Sequence, residues 1–166
     1  MLLLIECLLA CAVFTLIIVP AQIRNPISQI VSYPPEIQER VRSLPQYKDI
    51  VLKASKKNIA RKIIGALLLT FVLAALAYFS GKVTFLNSAI HVYIVFTAVN
   101  LYDLIVLDWL WFAHSSKTRI PGTKDMVKAY HGRWHHFRGF LIGLGIGLPI
   151  AMLSAVWVVV ASGLVG

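Results

Sequence analysis

The stretch Asn100–Ser116, NLYDLIVLDWLWFAHSS, is apolar enough to sit in a bilayer, yet it carries Asp103 and Asp108. It belongs to a longer apolar run, about Phe85–Ala113. A helix of about 20 residues crosses a hydrocarbon core of about 30 Å, so this run spans with residues to spare. At about 100° per residue, Tyr93, Thr97, Asn100, Asp103, Asp108, Trp111 and His114 fall on one broad face of an α-helix. Asn100, Asp103, Asp108 and His114 are therefore the predicted intramembrane polar face, turned toward other helices or water. Asp103 lies about 15 Å from the inner end of the run. An ionised aspartate at that depth costs about 2.5–3.5 kcal/mol, whereas an interhelical hydrogen bond returns about 0.6 kcal/mol. That imbalance favours a functional role for Asp103. Asp108 is shallower, within reach of Arg61, Lys62 or Arg138 at the same boundary, and reads as an inner-leaflet ion pair.

Composition agrees with a membrane setting. The 166 residues are 58% hydrophobic and 14% charged, with a mean hydropathy of +0.77; soluble domains run nearer 45–50% apolar and about 25% charged. Three further apolar segments, about Leu2–Pro20, Ile63–Ser80 and Phe140–Val165, complete a set of four. The first lacks a basic n-region and is interrupted by Glu6, so it reads as a retained helix rather than a signal peptide. Continuous apolar runs without alternation argue against a barrel. The expected fold is an all-α integral membrane protein: one membrane domain over residues 1–166, with four transmembrane helices arranged as two hairpins.

Charge orients it. Of the sixteen Lys and Arg, nine lie in Ala21–Lys62 and six in His114–Gly139, leaving Lys82 alone elsewhere. Basic loops stay cytoplasmic, so both loops are expected inside, both termini outside, in the plasma membrane. The net charge of +9 thus speaks of lipid rather than nucleic acid. Within the loops, Ile37, Val41 and Leu44 recur at helical spacing after Pro35, and Pro45 ends that helix. After the IPGT turn, Thr123 is placed to cap a second helix with Val127, Tyr130, Trp134 and Phe137 as its apolar stripe. Lys124, Lys128, His131, His135 and Arg138 line its other side. Both are expected to be basic amphipathic helices lying at the interface and touching anionic head groups.

Cys7 and Cys11, four apart on a helix, are read as inert buried thiols. Gly139, Gly143 and Gly147 form a stripe for close helix packing, within the chain or between copies, and Gly145 with Pro149 is expected to kink the last span. His131 and His135 have the i, i+4 spacing that lets two imidazoles meet one ion, but further ligands are missing and Lys128, Arg133 and Arg138 crowd the same segment. No metal, haem or other cofactor is expected. Glu6 reads as water-accessible and His91 as solitary near the outer end.

Two functions of different kind fit these residues. One is a binding or transport module, or an accessory subunit of a membrane complex, built on the polar face centred on Asp103. Four spans are few for a complete transporter, so a homo-oligomer or larger complex is expected. The alternative is a lipid-modifying enzyme at the cytoplasmic interface, with His131, His135 and His136 as acid or base and Asp108 orienting an imidazole. No nucleophile motif or twin acidic cluster accompanies it, so the balance is against an enzyme.

Overall fold

The computed structural model describes residues 1–165, without the side chains of residues 48, 49, 51–62, 164 and 165. The expected partners Arg61 and Lys62 therefore lie outside the described side chains. The chain is all-helical. Helix α1 (Leu2–Arg24) leads through a 3-10 turn (Pro26–Ser32) into α2 (Pro35–Ser43), and α3 (Lys48–Phe79) follows. Helix α4 (Phe85–Tyr102) continues without a break as a π-helix over Asp103–Phe112; the short α5 (Val127–Tyr130) precedes α6 (Arg133–Val165). Among the described residues three stretches, Leu2–Arg24, Phe85–Phe112 and Val127–Gly163, are long and apolar enough to cross a membrane, and Ile63–Phe79 is a shorter apolar helix.

Helix α4 is the centre of the bundle. It packs against α1, α3 and α6, while α3 packs mainly against α6. Chain order predicts α1 beside α3; instead α1 leans mainly on α4. Small residues set this arrangement. Ala74 and Ala77 of α3 and Ala151 of α6 are buried among Leu73, Val92, Val95, Ile150 and Val158, and Phe71 stacks on Trp157 with ring centroids 4.4 Å apart. In lipid such close packing replaces the hydrophobic drive available in water. Two of the striped glycines serve it. A Cβ on Gly143 would lie 2.6 Å from Asn100 Oδ1, and one on Gly147 would lie 2.7 Å from Phe96 Cδ1. Nothing approaches the corresponding position of Gly139. Helix α6 runs on through Pro149. At the other end of α3, Gly81 (φ 74°) closes a glycine cap in which Lys82 N–H donates to Ala77 O at 2.9 Å.

The two basic loops fold on each other. Ile30, Tyr33, Ile37 and Val41 from the first are buried against Ile120 and Tyr130 from the second and against Phe112 at the end of the π-helix. The apolar side of α2 is thus taken by protein, not by acyl chains. Tyr33 donates to Thr118 O at 2.9 Å; Tyr130 Oη accepts from Ile120 N–H at 3.1 Å and lies 2.7 Å from Thr123 Oγ1. Thr123 is consequently spent inside this loop body rather than capping a helix. The expected amphipathic helix over Thr123–Arg138 does not form as one piece. The chain breaks at His131–Gly132, leaving Tyr130 fully buried and Trp134 66% exposed, so no common stripe exists.

Two consequences can be measured. Gly139→Ala gains helix propensity at no steric cost and leaves the thermal midpoint unchanged or slightly raised. Gly147→Ala forces the Phe96 ring aside and lowers stability by about 1–3 kcal/mol, read as a reduced melting temperature in the same detergent. Burial also lifts the Tyr33 phenol above its ordinary value, which is about 10. The folded loop body then holds that proton more tightly than the unfolded chain, so its stability is complete below about pH 10 and declines as the pH climbs further. Tyr33→Phe costs about 1 kcal/mol at neutral pH through the lost bond to Thr118 but flattens the alkaline decline in thermal unfolding.

Candidate functional site

The site begins with a change of helical register. Asp103 N–H still bonds Val99 O and Asn100 O, but Ala113 N–H donates to Asp108 O, five residues back, at 3.1 Å. On an α-helix residues five apart diverge by about 140°. In an i→i+5 register they stand little more than one turn apart and share a face. Sequence reasoning at α-helical spacing sets Asp103 and Asp108 at opposite margins of a broad face; the π-helix aligns them. The same register buries Leu104, Leu107 and Phe112 on the packing side.

Asn100, Asp103 and Asp108 consequently line one cavity of about 570 Å³, closed from the other side by His135, His136 and Arg138 of α6. Gly139 opens onto it as well, and with no neighbour within 4 Å it leaves space there. Asn100 Nδ2 donates to Phe140 O at 3.0 Å, tying α4 to the start of the α6 span. His135 Nε2 lies 3.2 Å from Ser32 O, so the first loop forms part of the wall. The volume falls within the range of small-molecule pockets, about 300–1,000 Å³.

One pair dominates the chemistry. His136 Nδ1 lies 3.0 Å from Asp108 Oδ2, with the imidazole 6% exposed and the carboxylate 27%. A carboxylate at Nδ1 fixes the ring with its Nδ1 proton toward Asp108, leaving Nε2 to act. His136 Nε2 is buried with no partner among the described residues. The edge of the ring meets Phe112 at 5.2 Å between centroids. Asp108 is therefore paired, by a histidine rather than by Arg138.

The remaining expected residues scatter. His114 is exposed beyond the end of the π-helix, its Nδ1 3.1 Å from Leu110 O, and does not line the large cavity. Its ring lies 5.0 Å from that of His131, whereas His135 faces His136 at 5.4 Å. The break at Gly132 defeats the i, i+4 spacing that would set His131 beside His135. Lys124, Lys128, His131 and Arg138 are exposed; of these only Arg138 lines the large cavity.

A second polar cluster stands at the opposite end of the bundle and was hidden in the sequence. Glu6 Oε2 lies 3.0 Å from His91 Nε2, with the two side chains 6% and 5% exposed, and Ser80 Oγ donates to Glu6 Oε1. Glu6 is thus buried, and His91 is not solitary. The readable signal was a carboxylate and an imidazole at similar depth near the same ends of two apolar runs. This cluster pins α1 and the end of α3 to α4.

No protein-family model matches this chain, and comparison with curated proteins and with solved structures finds no significant match.

The pair Asp108–His136 predicts a measurable coupling. Asp108→Asn and His136→Gln each lower stability by about 1–3 kcal/mol, because the surviving partner loses its charge-assisted bond at a half-buried position. The double variant loses less than the sum of the two, and thermal or denaturant unfolding of the four proteins gives the difference. Full additivity would mean that the two side chains do not meet.

Proposed function

We propose that this chain is a membrane-embedded binding or transport module whose site is the inter-helix cavity centred on Asp103. One observation carries the reading: three polar groups of the central helix and three of α6 face a common space inside a bundle whose outer surfaces are apolar. A carboxyl group at that depth is costly unless something it binds repays the cost. Asn100 and Asp103 supply hydrogen bonding and charge on one side, Arg138 and His135 on the other.

The same reading fixes a topology. The loops after α1 and after the π-helix share one buried core, so they lie on one side of the bundle. The start of α1, the end of α3 and the start of α4 meet at the Glu6–Ser80–His91 cluster, on the other side. With α1, α4 and α6 crossing, the chain must also cross along α3. Its 17-residue apolar part, Ile63–Phe79, is at the short limit for a span, and α3 continues beyond it toward the loops. Four spans follow, with both termini outside and fifteen cations on the cytoplasmic face of the plasma membrane. Exposed Lys124, Lys128, His131 and Arg138 would touch anionic head groups there. Four spans make a small transporter, so we place the chain in a homo-oligomer or as a subunit of a larger membrane complex.

A second reading is favoured by the Asp108–His136 geometry. An imidazole oriented by a carboxylate, with a free Nε2, is the arrangement of a general base, and the cavity beside it opens among α6 and the first loop. On this reading an interfacial lipid-modifying enzyme would use His136, with His135 near and His131 apart.

Two experiments test these readings. Asp103→Asn lowers retention of the cavity's occupant, or transport where it is assayed, by about tenfold or more, about 1.4 kcal/mol, while the protein stays folded; unchanged retention and function would sink the binding reading. Single cysteines at Ser116 and Lys82 in a background without Cys7 and Cys11 are labelled by an impermeant reagent from opposite sides of the membrane. Labelling of both from one side would remove the four-span topology.

A further inference from the structure

Asp108 and His136 have a second face. Behind the pair lies a smaller cavity of about 70 Å³, bounded also by Trp109, His114, His131 and Arg133. We propose that this cavity is a binding site for a phosphoryl oxyanion, carried by a phospholipid head group or by free phosphate. The inference does not depend on what occupies the large cavity.

The wall is rich in donors and short of acceptors. Trp109 Nε1 is buried without a partner among the described residues, and an indole N–H can only donate. Its missing partner must therefore be an acceptor. His136, 7% exposed, presents its Nδ1–H to Asp108 and leaves Nε2 buried and unpartnered among the described residues; that nitrogen accepts on the neutral ring and donates to an oxyanion only as the imidazolium. The Arg133 guanidinium, also donor-only, lies 5.5 Å from the Trp109 ring centroid. The rings of His114 and His131, 5.0 Å apart, complete the rim. Asp108 is the one carboxylate among the lining residues, and His136 already engages it.

Backbone charge points the same way. Helix α6 begins at Arg133, its first turn carries no acidic residue, and His136 belongs to that turn. The amino end of a long helix carries unbonded N–H groups and about half a positive charge, which favours an anion. The volume holds a few waters at about 10–15 Å³ of probe space each, or one tetrahedral phosphoryl group whose substituents stay outside. A single water would answer one orphaned donor. A phosphoryl group offers several oxygens to donors arriving from the π-helix, the second loop and α6 together, as a planar carboxylate does less well.

The test uses the full chain purified in a phosphate-free maltoside detergent. Inorganic phosphate is titrated while tryptophan fluorescence is recorded, and native mass spectrometry reports any retained phospholipid. Saturable phosphate binding by lipid-free protein identifies free phosphate as the source; phospholipid retained through purification identifies the head group. Either supports the site, provided Arg133→Gln weakens phosphate binding or phospholipid retention by about tenfold, the size of one charge-assisted bond. Trp109→Phe keeps the ring, removes the donor and weakens binding several-fold, so it decides the matter should Arg133→Gln fail to fold. Lys82→Gln, at an exposed position on the opposite end of the bundle, leaves this binding unchanged. Absence of both phosphate binding and retained phospholipid would overturn the proposal, as would equal binding by wild type, Arg133→Gln and Trp109→Phe, because water alone would then fill the cavity.

Discussion

The wide helical register between Asp103 and Phe112 is the constraint from which the rest of the site follows. A π-helix lengthens each backbone ring by one residue and gives poorer packing along its own axis, so runs beyond a single turn need tertiary support. Here that support comes from both sides. Leu104, Leu107 and Phe112 are buried in the bundle and the loop core, and Asp108 meets His136 across the helix interface. Returned to an α-helical register, the two aspartates would diverge by about 140°. One of them would then leave the cavity wall.

Helix α6 is shaped to accept this wall. Gly143 and Gly147 let Asn100 and Phe96 approach its backbone, which brings the α6 end carrying His135, His136 and Arg138 against the π-helix. The loop body completes the enclosure: Tyr33 and Tyr130 spend their hydroxyls on loop backbone and Thr123, and Ser32 reaches His135. At the far end Glu6, Ser80 and His91 form a second polar knot. Two carboxylate–imidazole pairs thus close the bundle at opposite ends, in a solvent where an unpaired polar group is expensive.

Much of this architecture was legible in the residues. Long apolar runs gave the helices, Pro35 and Pro45 bounded α2, and the oddity of aspartates in an apolar run marked the stretch where the cavity lies. What was hidden depended on departures from regular geometry or on distant partners. Helical spacing assumes 3.6 residues per turn, so it misplaced Asp108 relative to Asp103 once the register widened. The same assumption drew Thr123–Arg138 as one helix, although Thr123 finds a better partner in Tyr130 and Gly132 lets the chain break. Burial of Glu6 and the apolar side of α2 came from contacts with residues far along the chain, which periodicity does not reveal. Charge asymmetry spoke of orientation without geometry; the fusion of both basic loops into one core shows that the two share one side of the bundle.

The account is tested most directly by the hydrogen-bond register itself. Solid-state NMR on protein in bilayers, labelled at the Ala113 amide nitrogen and at the carbonyl carbons of Asp108 and Trp109, compares the two dipolar couplings. The account predicts that Ala113 couples to Asp108, its bonded carbonyl at 3.1 Å, more strongly than to Trp109. A stronger coupling to Trp109 would mean an ordinary α-helix, with Asp103 and Asp108 on different faces and no shared cavity between them.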